Sequence, residues 1–254
     1  MINQAIILAA GLGTRLRPLT NDCPKPMLEI DGKPLLVHQL EALAKAQIER
    51  VVIHTSYLSD YIKTKLNNGK AYHLNLDIQY AHTDEPLDTG GGLTYSIEQL
   101  LDQNSPFICV NGKIFTDYNY LNLNKFYSDK NFDNKLAHWV LVPNPEENPR
   151  GDYDLDQNTQ ILIKKFHSAD QIYPFTYSGI AIYNTALILP KLLYYYRLNK
   201  KFSLINIINN NLSLIGGSVY TGQWDGLETV EQYNSLFTKY TKYLQCPNTY
   251  PNTQ

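Results

Sequence analysis

Ala5-Ile6-Ile7-Leu8-Ala9-Ala10 runs straight into Gly11-Leu12-Gly13-Thr14-Arg15-Leu16-Arg17-Pro18-Leu19-Thr20, and Pro24-Lys25-Pro26-Met27 follows closely. An apolar run this short, stopped by glycine, reads as a buried parallel strand. It delivers the chain into a small-residue loop where Gly11 and Gly13 let backbone N–H groups approach a ligand. Arg15 can then meet phosphate as a fork and Lys25 as a point charge. Pro24 and Pro26 stiffen the backbone on both sides of Lys25, so its ammonium is presented in a restricted direction. The loop lacks the Gly-x-Gly-x-x-Gly helix start of dinucleotide sites and the Gly-Lys-Ser/Thr ending of a P-loop.

Outward from this loop, short apolar runs recur at Arg50–Thr55, Leu76–Ala81 and Phe107–Val110. Between them Leu35, Leu36, Leu40 and Leu43, then Leu58, Ile62 and Leu66, then Leu93, Ile97 and Leu100 keep helical spacing. Alternating strand and helix predicts an α/β fold, a mostly parallel sheet with helices on both faces. The second half is less regular. Strands are expected at His138–Val142, Ile161–Phe166 and Tyr177–Tyr183, and a helix over Thr185–Leu198. A short helix should start at Ser203, and another should follow Thr229 with Val230, Tyr233 and Leu236 as its stripe. With no repeat or linker in between, residues 1–244 read as one unit and Gln245–Gln254 as a polar tail.

Composition narrows the function classes. The 254 residues carry a net charge of −2 with no Lys/Arg run, so neither a nucleic-acid partner nor an anionic membrane surface is indicated. The opening apolar run is too short to span a bilayer and lacks the basic start of a signal peptide. Cys23, Cys109 and Cys246 lie far apart without a paired motif, which fits a reducing cytoplasm better than a disulfide framework or a zinc site. His54, His73 and His82 show no metal-like spacing and read as structural or exposed.

The loop and the Pro-Lys-Pro-Met segment together resemble the signature of sugar-phosphate nucleotidyltransferases. The resemblance continues through Asp31-Gly-Lys-Pro-Leu35, Glu85-Pro-Leu-Asp-Thr-Gly-Gly-Gly92, Val110-Asn-Gly112, Asn144-Pro145 with Arg150-Gly-Asp152, and Ser178-Gly-Ile180. Glu85–Gly92 and the chain length are most similar to the bacterial N-acetylmuramate 1-phosphate uridylyltransferases of cell-wall recycling. The resemblance implies a Rossmann-like, GT-A-like fold that holds a nucleoside triphosphate, UTP in that group, beside a sugar 1-phosphate. The sugar phosphate oxygen would attack the α-phosphorus, releasing pyrophosphate and forming a nucleotide sugar. Carried over by position, Ala10, Gly11, Gly13, Thr14 and Arg15 would cradle the triphosphate and Lys25 would neutralise it, Arg15 and Lys25 being the catalytic pair. Gly90 and Gly91 would approach base and ribose. Asn111, Arg150, Asp152, Ser178 and Gly179 would line the sugar phosphate side.

The resemblance also implies Mg²⁺ held by two aspartates, one following Asn-Gly at a strand end and one in a Trp-x-Asp-x-Gly-Thr segment. Here Lys113 follows Asn111-Gly112, and the second segment reads Trp224-Asp-Gly-Leu-Glu-Thr229. Gly226 therefore stands where the second aspartate is expected. Asp225, one position early, is the remaining candidate ligand, and a shifted turn could bring either Asp225 or Glu228 to the site. A carboxylate about 4 Å from a unit positive charge gains roughly 4 kcal/mol at surface-like dielectric, and an ammonium there reverses the sign. Lys113 is thus expected either to abolish turnover or to replace part of the cation's role by touching phosphate directly.

Overall fold

A computed structural model describes residues 1–100, 102–128, 130–164 and 171–241. The strands are β1 (Gln4–Leu8), β2 (Glu29–Ile30), β3 (Lys33–Pro34), β4 (Arg50–Thr55), β5 (Asp77–His82), β6 (Phe107–Asn111) and β7 (Ile114–Thr116). They continue with β8 (Ala137–Pro143), β9 (Asp154–Leu155), β10 (Leu162–Ile163), β11 (Phe175–Tyr183), β12 (Ile215–Val219) and β13 (Trp224–Gly226). The helices are α1 (Leu35–Lys45), α2 (Ser59–Leu66), α3 (Asp88–Ile97), α4 (Leu123–Tyr127), α5 (Thr185–Leu198), α6 (Ile205–Asn209) and α7 (Val230–Thr241).

The central sheet has seven strands in the order β12-β8-β11-β6-β1-β4-β5. Pairings are parallel except those of β11, which runs antiparallel to β6 and β8. Period-two alternation sends each strand's residues to opposite faces. Ala5 and Ile7 of β1 pack with Leu36, Leu40 and Ile62 under α1 and α2, while Ile6 packs with Leu93, Ile97 and Ile188 under α3 and α5. The α/β class and the helices on both faces are therefore as expected. The chain leaves β1 toward β4 on one side and returns through β6 on the other. The strand order reverses at β1, and in open α/β sheets ligand clefts form beyond the carboxyl ends of strands at such a point.

Three local expectations are corrected. The strand expected at Ile161–Phe166 is only Leu162–Ile163, paired with β9 outside the main sheet; 165–166 lie outside the described residues, as do the expected tail and Cys246. The edge strand β12 was not foreseen, because Gly216 and Gly217 interrupt its apolar run and weaken its strand signature. The pair β7 and β13, three residues each, is too short to carry a strand signature in the sequence, yet it joins Lys113 to the C-terminal segment: Gly226 sits opposite Ile114, and the Leu227 N–H donates to the Lys113 carbonyl at 2.8 Å.

Two histidines are buried in this frame. Burial, with His82 nearby, lowers His54 to about 4, and burial alone lowers His138 to about 4. The unfolded chain binds protons at these sites near pH 6.5 and the folded chain does not. Their contribution is therefore complete above pH 6.5 and is lost as pH falls toward 4, at about 3 kcal/mol each. Urea unfolding at pH 7 and pH 5 should show about 2 kcal/mol of this loss per histidine; equal midpoints would refute it.

Candidate functional site

The glycine loop leaves β1 at the carboxyl edge of the sheet. Thr20 Oγ1 donates to the Gly13 carbonyl at 2.8 Å and the Leu16 N–H donates to it at 2.9 Å, which ties the loop into a short turn over Thr14–Leu16. A cleft of about 490 Å³ opens beside it, walled by Leu8–Gly11, Lys25, His54, Pro86–Thr89 and Asn111–Lys113. A second cavity of about 370 Å³ adjoins it; Asn111 and Lys113 belong to both. The second is lined by Asn148, Asp152, Lys164, Tyr177, Ser178, Trp224, Gly226 and Glu228 among others. Two hollows sharing a wall at the end of β6 can hold two ligands in contact.

The turn between them is braced from below. Buried Gln39 on α1 donates from Nε2 to the carbonyls of Asn111 at 3.0 Å and Ile114 at 2.8 Å, on either side of Gly112-Lys113. The Gly112 N–H donates to the Leu8 carbonyl at 2.8 Å, locking this turn to the glycine loop. Gln39→Leu would strand both carbonyls, so a loss of about 3 kcal/mol is expected in chemical denaturation. A change under about 0.5 kcal/mol would mean that the turn holds itself.

Four charged groups meet where the cavities join. Glu228 accepts from Arg15 at 2.7 Å and from Lys25 at 3.0 Å through Oε2, and from Lys113 through Oε1. Lys25 also donates to the Leu227 carbonyl at 3.0 Å. Side-chain exposure ranks them: Lys25 13%, Glu228 17%, Lys113 43% and Arg15 68%. Burial lowers the Lys25 pKa, with Glu228 opposing and Lys113 and Arg15 adding to the drop. Burial works to raise Glu228, but Lys113 and Lys25 outweigh it and hold the carboxylate below its usual range. The Glu228 backbone is pinned: its N–H and that of Thr229 both donate to Gln232 Oε1, a capping arrangement at the start of α7.

The sequence-predicted residues divide accordingly. Ala10, Gly11, Lys25 and Asn111 line the larger cleft; Asn111, Asp152 and Ser178 line the smaller cavity. Asp152 accepts from Asn148 at 3.1 Å and from the Tyr177 N–H at 3.0 Å, so its carboxylate braces the cavity wall. Ser178 donates to the Val140 carbonyl at 2.7 Å inside a bulge of β11, where Gly179 has φ +85° and lies against Asn111. Gly13, Thr14, Arg15 and Arg150 are not among the lining residues of either hollow, though Arg15 reaches Glu228 at its edge.

Two placements differ from expectation. Gly90 and Gly91 face away from the cleft: their N–H groups donate to the Phe202 carbonyl at 2.9 and 3.3 Å. A Cβ at Gly91 would stand 2.1 Å from the Lys200 carbonyl oxygen, and one at Gly90 would stand 2.3 Å from the Phe202 ring. Their smallness serves packing, and Leu87, Asp88 and Thr89 form the wall instead. Asp225 also turns away. Alternation along β13 sends Trp224 and Gly226 to the cavity and Asp225 to α7, 3.6 Å from Lys239 Nζ. Of the two carboxylates that a shifted turn was expected to offer, it is Glu228, two residues beyond the end of β13, that lines the cavity. His54, read as structural or exposed, is buried and touches the cleft wall, donating from Nε2 to Thr83 Oγ1 at 3.2 Å, since the Thr83 hydroxyl is given to the Glu85 carbonyl.

Comparison with known proteins agrees with this geometry. The profile of the nucleotidyl transferase family matches residues 4–172. The N-acetylmuramate alpha-1-phosphate uridylyltransferase of Neisseria meningitidis serogroup B is 31% identical over 233 residues, 89% of this chain and 94% of that protein. The mannose-1-phosphate guanylyltransferase catalytic subunit beta of Danio rerio is 39% identical over 124 residues, 49% of this chain but 34% of that longer protein. HddC from Yersinia pseudotuberculosis superposes with a TM-score of 0.73 at 25% identity, covering 94% of this chain and 100% of that one. With the loop, the cleft at the strand-order reversal and these likenesses in agreement, the chain belongs to the sugar-phosphate nucleotidyltransferase family.

Proposed function

We propose that this chain binds a nucleoside triphosphate in the larger cleft and a sugar 1-phosphate in the adjoining cavity, and that it transfers the nucleotidyl group between them. The observation that carries this reading is the pair of cavities sharing Asn111 and Lys113. A phosphate oxygen of the sugar attacks the α-phosphorus, the bond to the β-phosphate breaks and pyrophosphate leaves. Such a reaction needs in-line positioning and charge neutralisation more than covalent help. Ala10, Gly11, Gly13 and Thr14 supply the backbone cradle. Lys25 and Arg15 meet the triphosphate, and Asn111, Arg150, Asp152, Ser178 and Gly179 serve the sugar side. UTP and N-acetylmuramate 1-phosphate are the preferred pair, by likeness to the Neisseria protein over nearly its whole length. GTP and mannose 1-phosphate are the alternative, by likeness to the Danio subunit over 124 residues, 49% of this chain.

Mg²⁺ does not fit the residues present. Lys113 offers an ammonium where a cation needs an anion, Gly226 offers no side chain, Asp225 points away from both cavities toward α7, 3.6 Å from Lys239, and both oxygens of Glu228 are taken up by Arg15, Lys25 and Lys113. That observation favours a second reading, a nucleotide-binding protein without turnover. Pyrophosphate release separates the two, measured with UTP, GTP, CTP and TTP against N-acetylmuramate, mannose, glucose and heptose 1-phosphates. Release with one pair establishes transfer and identifies base and sugar. Nucleotide binding with no release for any pair leaves the binding reading.

A further inference from the structure

Lys25, Arg15 and Lys113 come from three separate parts of the chain, and all three converge on one carboxylate at the junction of the two cavities. Three cations against one anion leave a net positive charge at the mouth of a cleft built beside a glycine loop. A carboxylate that accepts from three cationic donors occupies them as a phosphate group would, with two oxygens presented to a ring of N–H groups. Asp88 lines the larger cleft and Glu147 and Asp152 the smaller cavity, but among the described residues Glu228 is the carboxylate within 4 Å of these three cations; Asp225 faces Lys239 on α7, and Asp152 is held by Asn148 and the Tyr177 N–H. Glu228 hangs from a backbone pinned by Gln232, so only its side chain is free to exchange.

Resting on the nucleotide reading above, we propose that this site takes the metal-free polyphosphate anion, Lys113 supplying the neutralising charge, with Glu228 as the internal anion that the phosphate displaces. Three ammonium and guanidinium groups favour the fully ionised triphosphate over its magnesium complex, because the complex has already lost part of the charge they attract. A divalent cation carried in on the phosphate would meet Lys113 head-on, with repulsion in place of ligation. Displacement of Glu228 exposes all three cations at once and seats the incoming phosphate between the two cavities, where transfer between two phosphorylated ligands has to occur.

The test is calorimetric titration of the intact protein with sodium tripolyphosphate and with UTP, each in EDTA and in excess Mg²⁺. Binding in EDTA should be at least about tenfold tighter than in Mg²⁺. Lys113→Ala should cost about tenfold or more in EDTA and remove the preference for the metal-free form. Glu228→Gln, which keeps the side-chain shape and loses the charge, should tighten binding in EDTA; weaker binding would show that Glu228 organises the cations and does not compete with the ligand. Binding that requires or is strengthened by Mg²⁺ would overturn this inference and leave the nucleotide reading intact. No binding of tripolyphosphate, UTP, GTP or CTP in either buffer would overturn both.

Discussion

Lys25→Met should weaken UTP or tripolyphosphate binding by about 10²–10³-fold and leave uridine binding unchanged. Removing one partner of a buried charge pair typically costs 3–5 kcal/mol, and each 1.4 kcal/mol is tenfold in affinity. Lys25 qualifies as buried: its side chain is 13% exposed, between Pro24 and Pro26, with its ammonium on the Leu227 carbonyl and on Glu228. Methionine keeps the apolar stem that packs in this slot, so the change isolates the charge from the shape. Arg15 gives the contrast. At 68% exposure its contribution is screened by solvent and salt, and Arg15→Ala should cost tenfold or less, shrinking further as salt rises. Titration calorimetry with uridine, UTP and tripolyphosphate decides the matter; parallel loss for nucleoside and triphosphate would remove Lys25 from phosphate binding.

Gly91→Ala should destabilise the fold by about 3 kcal/mol and distort the cleft at the same time. The new methyl would stand 2.1 Å from the Lys200 carbonyl oxygen and 2.8 Å from Leu87 Cβ. The first obstacle is backbone, so relief requires moving the whole segment that α3 rests on. Overpacking of this kind costs about 1–3 kcal/mol, and the hydrogen bonds from Gly90, Gly91 and Phe202 across the same contact weaken with it. For a chain of this size that is a fall of about 6–12 °C in Tm. Because Leu87–Thr89 form the cleft wall, nucleotide affinity should drop too. Gly11→Ala separates the effects: a Cβ there meets nothing within 4 Å, so Tm should hold while the methyl enters the cleft and affinity falls. A Gly91→Ala protein that melts like the parent would show that the Lys200 segment yields freely.

The two variants report on different kinds of information. Lys25 stands out in the sequence because its setting is local: two flanking prolines, with the glycine loop of Gly11 and Gly13 in the segment just before it. Gly90 and Gly91 also stand out, but their role depends on Lys200 and Phe202, more than a hundred residues away. A run of glycines reads equally well as a ligand approach or as a close crossing of two backbones. Only the fold separates those readings, and here the crossing accounts for both residues.

Strand β1 and the loop after it, the apolar runs of the buried parallel strands, helix α5 over Thr185–Leu198 and the motifs that carry the family resemblance were all decided by sequence alone. Each rests on spacing within a few residues, where side-chain period and backbone conformation are directly coupled. Tertiary structure alone decided the electrostatics of the site. Glu228 meets Arg15 across 213 residues, Lys25 across 203 and Lys113 across 115. Those meetings depend on β13 pairing with β7 and on Leu236 of α7 packing with Leu16 and Ile30 beneath the loop. The same pairing turns Asp225 outward, since successive residues of a strand point to opposite sides, and the Gln232 cap at the start of α7 holds Glu228 at the cavity wall. Which acidic residue faces the junction of the two cavities is therefore decided by strand pairing between segments far apart in the chain.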